Sequence, residues 1–276
     1  MLCAVHRLRR VLQNEATDVT LDIAALELAS IEFPGIDFEP SLFRLDHFAE
    51  QISSRLPSSA PPLDFIRAAN ELLFEILQFR GNEGDYYDPR NSCLNAVLSR
   101  RLGIPISLSL VYLEIARRLN RPMAGIGLPG HFIVVYEDND SRYWIDPFHR
   151  GRILTLDDCR ELVQQTTGMD LRLYPSALAH ATPRQILLRM LGNLKSIYLK
   201  GQALDKARQV LDLLVLANPA DAEEYRLRGL IHLQQLHHRE AKADLEMFLR
   251  LAPVGADRAQ VEQQLLQIER WKAALN

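Results

Sequence analysis

Residues 127–147 have the sequence GLPGHFIVVYEDNDSRYWIDP, and this stretch contains two short runs typical of β-strands. The first run starts at His131 and is rich in β-branched and aromatic residues, while the second covers residues 142–146. The polar residues 137–141 between them have the length of a hairpin loop. Because the start of one antiparallel strand lies beside the end of the next, we expect His131 and Asp146 to meet at one end of the hairpin.

The hairpin lies within sequence that is otherwise helical in pattern. Apolar residues recur at helical spacing in five segments, with Ser41 as the expected cap of the second, and these segments are 20–32, 42–56, 63–79, 92–102 and 107–119. Helices combined with a short antiparallel hairpin make an α+β fold, which we place at residues 1–180.

The C-terminal part of the chain contains an internal repeat. Residues 34 positions apart match at three pairs, which are Ala207 and Ala241, Leu211 and Leu245, and Pro219 and Pro253. This is the period of the tetratricopeptide repeat, a helix pair that stacks on its neighbours, and Gly229 falls where the second repeat is expected to carry glycine. We therefore predict an all-α domain at residues 181–276, with repeats at about 188–221 and 222–255 and a C-terminal capping helix.

Three residues that could carry chemistry are expected to come together near the hairpin. Cys93 lies at the predicted start of a helix, where the partial positive charge of the helix end stabilises a thiolate. His131 would take the thiol proton, and Asp146 would orient the imidazole. Asn91 would donate to an oxyanion beside the Cys93 backbone amide. The set comprises a nucleophile, a base and an orienting group.

Each of these residues also has a structural interpretation. Cys93 would be a small core residue at the start of an amphipathic helix, and His131 a polar turn residue. Asp146 would bond nearby backbone amides in a turn, and Asn91 would cap a helix or lie in a loop. Residue types and spacing leave both interpretations open.

Four motifs resemble those of a known family, and they are residues 91–95 (NSCLN), 101–106 (RLGIPI), 127–132 (GLPGHF) and 146–148 (DPF). In order, they resemble the transglutaminase-like core of the papain-type cysteine enzymes. They are more closely similar to the bacterial SirB-type family, whose members join a transglutaminase-like domain to C-terminal tetratricopeptide repeats. The resemblance implies a papain/transglutaminase-like fold with an N-terminal helical region, and a catalytic triad of Cys93, His131 and Asp146.

Composition excludes several classes of protein. The chain of 276 residues has 32 Lys and Arg against 35 Asp and Glu, so it lacks the basic excess expected of a nucleic-acid-binding protein. It contains no apolar run of the length that spans a membrane. Cys3, Cys93 and Cys159 form no CxxC pair, and the N-terminus lacks the pattern of a secretory signal. Unpaired thiols fit a reducing compartment, and we expect a cytoplasmic protein.

The sequence contains one candidate group of metal ligands. Cys159 follows Asp157 and Asp158 in a predicted helix, and together with His149 it would make a metal cluster. Two acidic residues in the first turn of a helix are better explained by the helix dipole. We therefore expect no metal site, and nothing in the sequence indicates a cofactor.

Two functions remain open. In the first, Cys93 attacks an amide carbonyl, and the acyl group passes to water in a hydrolase or to an amine in an acyl transferase. In the second, the protein is a non-catalytic interaction or regulatory module, with a degenerate transglutaminase-like domain as a binding surface. The repeats would then bind a protein or peptide partner in their concave groove, or would instead pack on the N-terminal domain and serve mainly structure.

Overall fold

The computed structural model describes residues 5–14, 20–173, 175–252, 254–255 and 257–274 of the chain. Packing divides the chain into two compact units, residues 1–193 and residues 194–276. Cys3 and the repeat residue Pro253 lie outside the described residues. Within the described ranges, no helix is both long enough and apolar enough to cross a membrane.

Helices make up the first part of the first unit. They are α1 (His6–Leu12), α2 (Leu21–Ala29), α3 (Glu39–Ser53), α4 (Pro62–Asn70), α5 (Leu94–Arg100) and α6 (Pro105–Arg118). Each of the five segments with helical spacing overlaps one of these helices, so the predicted helices are confirmed, although their ends differ. The N-terminal α1 was not predicted.

Prolines lie inside the first turns of three helices. Pro40, Pro62 and Pro105 each occupy one of the first two positions of their helix. The prediction that the second helix starts after Pro40 with Ser41 as its cap is wrong, because α3 begins at Glu39. Proline suits the first helical turn, since its fixed φ is helical and the backbone N–H that it lacks has no partner there.

The segment between α4 and α6 is less regular than predicted. Helix α4 continues into a π-helical turn at Glu71–Ile76, and the polar loop before α5 ends in a 3-10 turn at Pro89–Ser92. A short parallel pair of strands, β1 (Arg80–Gly81) and β2 (Leu102–Gly103), joins the start of this loop to the end of α5. The loop is therefore held at both ends.

A five-stranded antiparallel sheet contains the predicted hairpin. Its strands are β3 (Met123–Ile126), β4 (Ile133–Glu137), β5 (Arg142–Asp146), β6 (Arg152–Leu154) and β7 (His180–Ala181). The strand order is β6-β5-β4-β3-β7, and β4 pairs with β5 in the register Val134 to Ile145. The hairpin and the α+β class are confirmed, whereas β3, β6 and β7 were not predicted.

Helices pack on the sheet. Helix α6 contacts β3 and β4. A further helix, α7 (Leu156–Thr167), buries Cys159 and Val163 in a cluster with Ile133 and Val135 of β4. Ile133 and Val135 share a face because successive strand residues point to opposite sides of a sheet. This packing fixes the strand ends on which the site is built.

The second unit is helical in the part of the chain that the structure describes. After α8 (Pro183–Lys200), which enters it, the helices are α9 (Leu204–Ala217), α10 (Ala222–Gln234), α11 (His238–Leu251) and α12 (Asp257–Ala274). The repeat pairs Ala207 and Ala241, and Leu211 and Leu245, are all fully buried. The all-α repeat architecture is confirmed, because equivalent positions of α9 and α11 enter the core.

Helix α8 crosses the division between the two units. Its first half belongs to the first unit, in which Arg189 donates a hydrogen bond to the backbone oxygen of His131 at 2.7 Å. The sequence places the boundary near residue 180, whereas packing places it after residue 193. The two positions differ because the first turns of α8 pack with the preceding residues, and a repeat period in the sequence does not indicate this packing.

Gly229 allows α10 to approach α11 closely. A Cβ at this position would lie 2.9 Å from Leu245 Cδ2 and 3.2 Å from Asp244 Cβ. We expect Gly229→Val to lower the free energy of unfolding by about 2 kcal/mol, because the added side chain overpacks this contact. Gly192→Val is the control, since a Cβ at Gly192 meets nothing within 4 Å. Thermal unfolding of both variants tests this, and equal losses would contradict it.

Candidate active site

The hairpin brings His131 and Asp146 into contact. His131 lies two residues before β4, Asp146 is the last residue of β5, and both are buried. The Nε2 atom of His131 lies 2.9 Å from Oδ2 of Asp146. The expected meeting of these two side chains at one end of the hairpin is therefore present in the structure.

Asp146 organises the turn that follows β5. Its Oδ1 accepts hydrogen bonds from the backbone N–H groups of Phe148 at 3.0 Å and His149 at 3.3 Å. Its Oδ2 accepts from His131 and also from Nδ1 of His149 at 2.7 Å. Burial by itself raises the pKa of Asp146, but the hydrogen bonds from the two histidines and their charges outweigh it and hold the pKa well below its usual range. Asp146 is therefore an ionised carboxylate.

This contact fixes the tautomer of His131. Because Nε2 donates to the carboxylate, the neutral imidazole carries its proton there, and Nδ1 is the nitrogen that can accept another proton. Aromatic rings also surround the imidazole, with Phe148 in edge contact at 5.9 Å and His149 stacked at 5.7 Å between ring centroids. These contacts hold the His131 ring in one orientation.

His149 forms the outer part of this group. Its side chain is 47% exposed, whereas Asp146 beneath it is 1% exposed. The hydrogen bond to Asp146 raises the pKa of His149. His149 was considered in the sequence only together with Cys159, and the structure pairs it with Asp146 instead. In an Asp-Pro turn, the residue three positions after the aspartate lies close to the aspartate side chain. The Asp-Pro sequence is therefore the signal that could have identified His149.

Cys93 lies at the start of α5, as predicted, and its side chain is 0% exposed. Its Sγ lies 3.4 Å from the backbone oxygen of Pro89, to which the thiol donates. The side chain packs in an apolar cluster with Ala29 of α2 and Ala96 of α5. The catalytic role of Cys93 stays a prediction.

Asn91 is fully buried and holds the polar loop. Its side-chain amide donates to the backbone oxygens of Asp85 at 2.7 Å and Tyr86 at 3.2 Å. Its Oδ1 accepts from the amide of Asn82 at 3.0 Å. Both amide hydrogens are therefore engaged within the loop, and the oxyanion role of Asn91 stays a prediction.

A cleft of about 530 Å³ opens beside His149. Its wall includes Asn82, Glu83, Phe148, His149 and Arg150. His149, which is hydrogen-bonded to the buried Asp146, is therefore accessible from this cleft.

Cys159 and Arg189 occupy places that the sequence did not indicate. Cys159 lies in the apolar core under the sheet, and burial raises the pKa of its thiol to about 12. Arg189 of α8 donates to the His131 backbone oxygen and lies over the ring of Phe132, with 5.5 Å between its guanidinium carbon and the ring centroid. Burial lowers the pKa of Arg189. No local motif marks Arg189, because its contacts are distant in sequence.

The matches to known protein families divide at the same place as the two units of the fold. Residues 41–192 match the family model of the transglutaminase-like superfamily, and residues 194–266 match that of the tetratricopeptide repeat. A UPF0162 protein of Xylella fastidiosa is 38% identical over 242 residues, which cover 86% of each chain. Protein SirB1 of Salmonella typhimurium is 28% identical over 84% of this chain and 85% of its own.

A eukaryotic relative shares a shorter region. F-box only protein 21 of Homo sapiens is 35% identical over 152 residues, which are 52% of this chain and 23% of that protein. No solved structure matches the chain.

Proposed function

This chain belongs to the SirB-type family of transglutaminase-like proteins with C-terminal tetratricopeptide repeats, and on that basis we propose that its first unit is a cysteine-dependent acyl-transfer enzyme acting on amides. Cys93 Sγ would lose its proton to Nδ1 of His131 and attack the amide carbonyl carbon. The C–N bond then breaks, the leaving amine takes the proton from His131, and a thioester remains. Water or a second amine would release the acyl group.

The observation that carries this proposal is the buried hydrogen bond between His131 and Asp146. An ionised carboxylate on Nε2 holds the imidazole in one tautomer and stabilises the imidazolium that forms when Nδ1 takes a proton. A surface histidine gains no such preorganisation. This pair supports the acid–base half of the mechanism, whereas the nucleophile rests on the family resemblance.

A second function is favoured by the surroundings of Cys93. A fully buried thiol bonded to the Pro89 oxygen suits a structural residue, and the protein would then be a binding module. Tetratricopeptide repeats generally mediate protein interactions, so the second unit would bind a protein or peptide partner. The two functions differ in whether Cys93 reacts.

Alkylation of the full-length protein by iodoacetamide separates the two functions. Under the enzymatic proposal, mass spectrometry will show Cys93 reacting at least tenfold faster than Cys159, which serves as an internal reference because burial disfavours its thiolate. His131→Ala will remove most of this difference, since the base is lost. His180→Ala is the matched control, because His180 pairs with Glu137 at the surface of the same unit.

The opposite outcome identifies the binding module. If Cys93 reacts no faster than Cys159 in the native protein, and both react equally after unfolding in urea, the enzymatic proposal is wrong. A fast Cys93 that is unaffected by His131→Ala would show a reactive thiol without the proposed base, and would also contradict the mechanism.

A further inference from the structure

We propose that His131, Asp146 and His149 together form a binding site for a divalent transition-metal ion of the zinc class. One ligand atom from each side chain is available, and these three atoms all lie within 4.8 Å of one another. Two imidazoles and one carboxylate are a ligand set that recurs in catalytic zinc sites. The expectation of no metal site, which considered Cys159 with His149, did not include this group.

The distances between the ligand atoms suit a small ion. Nε2 of His131 lies 2.9 Å from Oδ2 of Asp146, and Nδ1 of His149 lies 2.7 Å from the same oxygen. Tetrahedral coordination at zinc–ligand distances of about 2.1 Å separates neighbouring ligand atoms by about 3.4 Å. Each contact therefore needs to lengthen by only about 0.5 to 0.7 Å.

The local charge and access also suit a cation. The site contains the acidic side chain of Asp146, which is already fixed by the backbone N–H groups of Phe148 and His149. His149 is half-exposed at the wall of the cleft, so an ion can reach the site from solvent. Three protein ligands leave a fourth position for water.

The type of ligand selects the type of metal. Imidazole nitrogen suits zinc, copper, nickel and iron, whereas calcium and magnesium prefer shells of oxygen ligands. On binding, each imidazole moves its proton from the coordinating nitrogen to the other ring nitrogen, and no proton needs to leave a neutral ring. Among the residues that the structure describes, the proposed ligand group contains no thiol, and Cys159 lies in the core under the sheet.

Metal binding and acid–base chemistry would exclude each other. The ion takes Nε2 of His131 and Oδ2 of Asp146, which are the two atoms of the hydrogen bond in the proposed enzyme. Binding of the ion does not require Cys93 to be a nucleophile, so the site can exist whether or not the proposed function is correct.

Titration of the untagged full-length protein with Zn²⁺ against a chromophoric chelator tests the site. We expect one strong equivalent in the wild type and at least a tenfold weaker affinity in His149→Ala, because one of three ligands is lost. His149 is chosen because its exposed side chain can be replaced with little effect on folding. His237→Ala is the matched control, since His237 and His232 form a second histidine pair in the other unit, with their Nδ1 atoms 3.5 Å apart.

Co²⁺ in place of Zn²⁺ gives a second measurement. The near-ultraviolet spectrum of the Co²⁺ protein will lack a thiolate-to-metal charge-transfer band, and Cys93→Ser and Cys159→Ser will bind the ion as the wild type does. The proposal is overturned if the wild type takes up no ion in competition with the chelator, if His149→Ala binds as tightly as the wild type, or if a cysteine variant loses the ion.

Discussion

Replacing Asp146 with alanine is expected to lower the free energy of unfolding of the first unit by about 3 kcal/mol. The carboxylate accepts four hydrogen bonds, two from the backbone at Phe148 and His149 and two from the rings of His131 and His149. Alanine leaves the buried ring of His131 without a partner and releases the turn after β5. The expected loss of stability therefore comes both from buried polar groups left without hydrogen bonds and from the lost contacts themselves.

Asp146→Asn provides the matched control for this variant. Its side-chain oxygen still accepts the two backbone N–H groups of the turn, but the charge opposite the histidines is gone. We expect roughly half the loss seen with alanine. Comparing the two variants thus separates the stability contributed by the hydrogen bonds of the turn from the stability contributed by the negative charge.

Urea unfolding followed by tryptophan fluorescence measures both values. The chain contains two tryptophans, Trp144 on β5 and Trp271 on α12, so a Trp271→Phe background leaves Trp144 as the reporter of the first unit. A loss of less than about 1 kcal/mol for Asp146→Ala would show that the site contributes little to stability, contrary to this expectation.

Replacing Arg228 with alanine is expected to destabilise the second unit by about 3 kcal/mol. The guanidinium binds Asp244 of α11 through Nε at 2.8 Å and through Nη2 at 2.7 Å, and it binds Asp212 of α9 through Nη1 at 2.9 Å. Asp244 is 8% exposed, so alanine leaves a buried carboxylate without its partner. One side chain of α10 thus connects the helices on either side of it.

Two variants control for other effects of this change. Arg226→Ala removes an arginine from the same helix whose partner Glu223 is 49% exposed, and we expect a loss below about 1 kcal/mol. Arg228→Lys keeps the charge but cannot bind both carboxylates in the same geometry, so its loss will be intermediate. Urea unfolding followed by far-ultraviolet circular dichroism gives the three values, and equal losses for Arg226→Ala and Arg228→Ala would contradict the prediction.

The contact between His131 and Asp146 was predictable because it follows from strand pairing alone. Once residues 127–147 form a hairpin, antiparallel register places the start of β4 beside the end of β5. The repeat helices were predictable for a related reason, since the 34-residue period fixes equivalent buried positions such as Ala207 and Ala241. In both cases a local pattern determines the arrangement.

The surroundings of Cys93 were not predictable in this way. Its neighbours include Ala29 of α2, which is distant in the chain, and helical periodicity does not determine how α2 packs on α5. The same holds for Arg189, which reaches the His131 backbone from α8. Sequence patterns predicted elements and pairings between adjacent strands, whereas contacts between distant elements required the structure.

The hydrogen bonding of Asp146 has a consequence for proton movement. A carboxylate offers about four lone-pair positions, and the four donors from the turn and the two rings take up all of them. Burial by itself raises the pKa of Asp146, but these hydrogen bonds and the charges of the two histidines hold it well below its usual range, so transfer of a proton from His131 to Asp146 is unfavourable while they persist. In any reaction at this site it would act as a fixed negative charge and not as a proton relay.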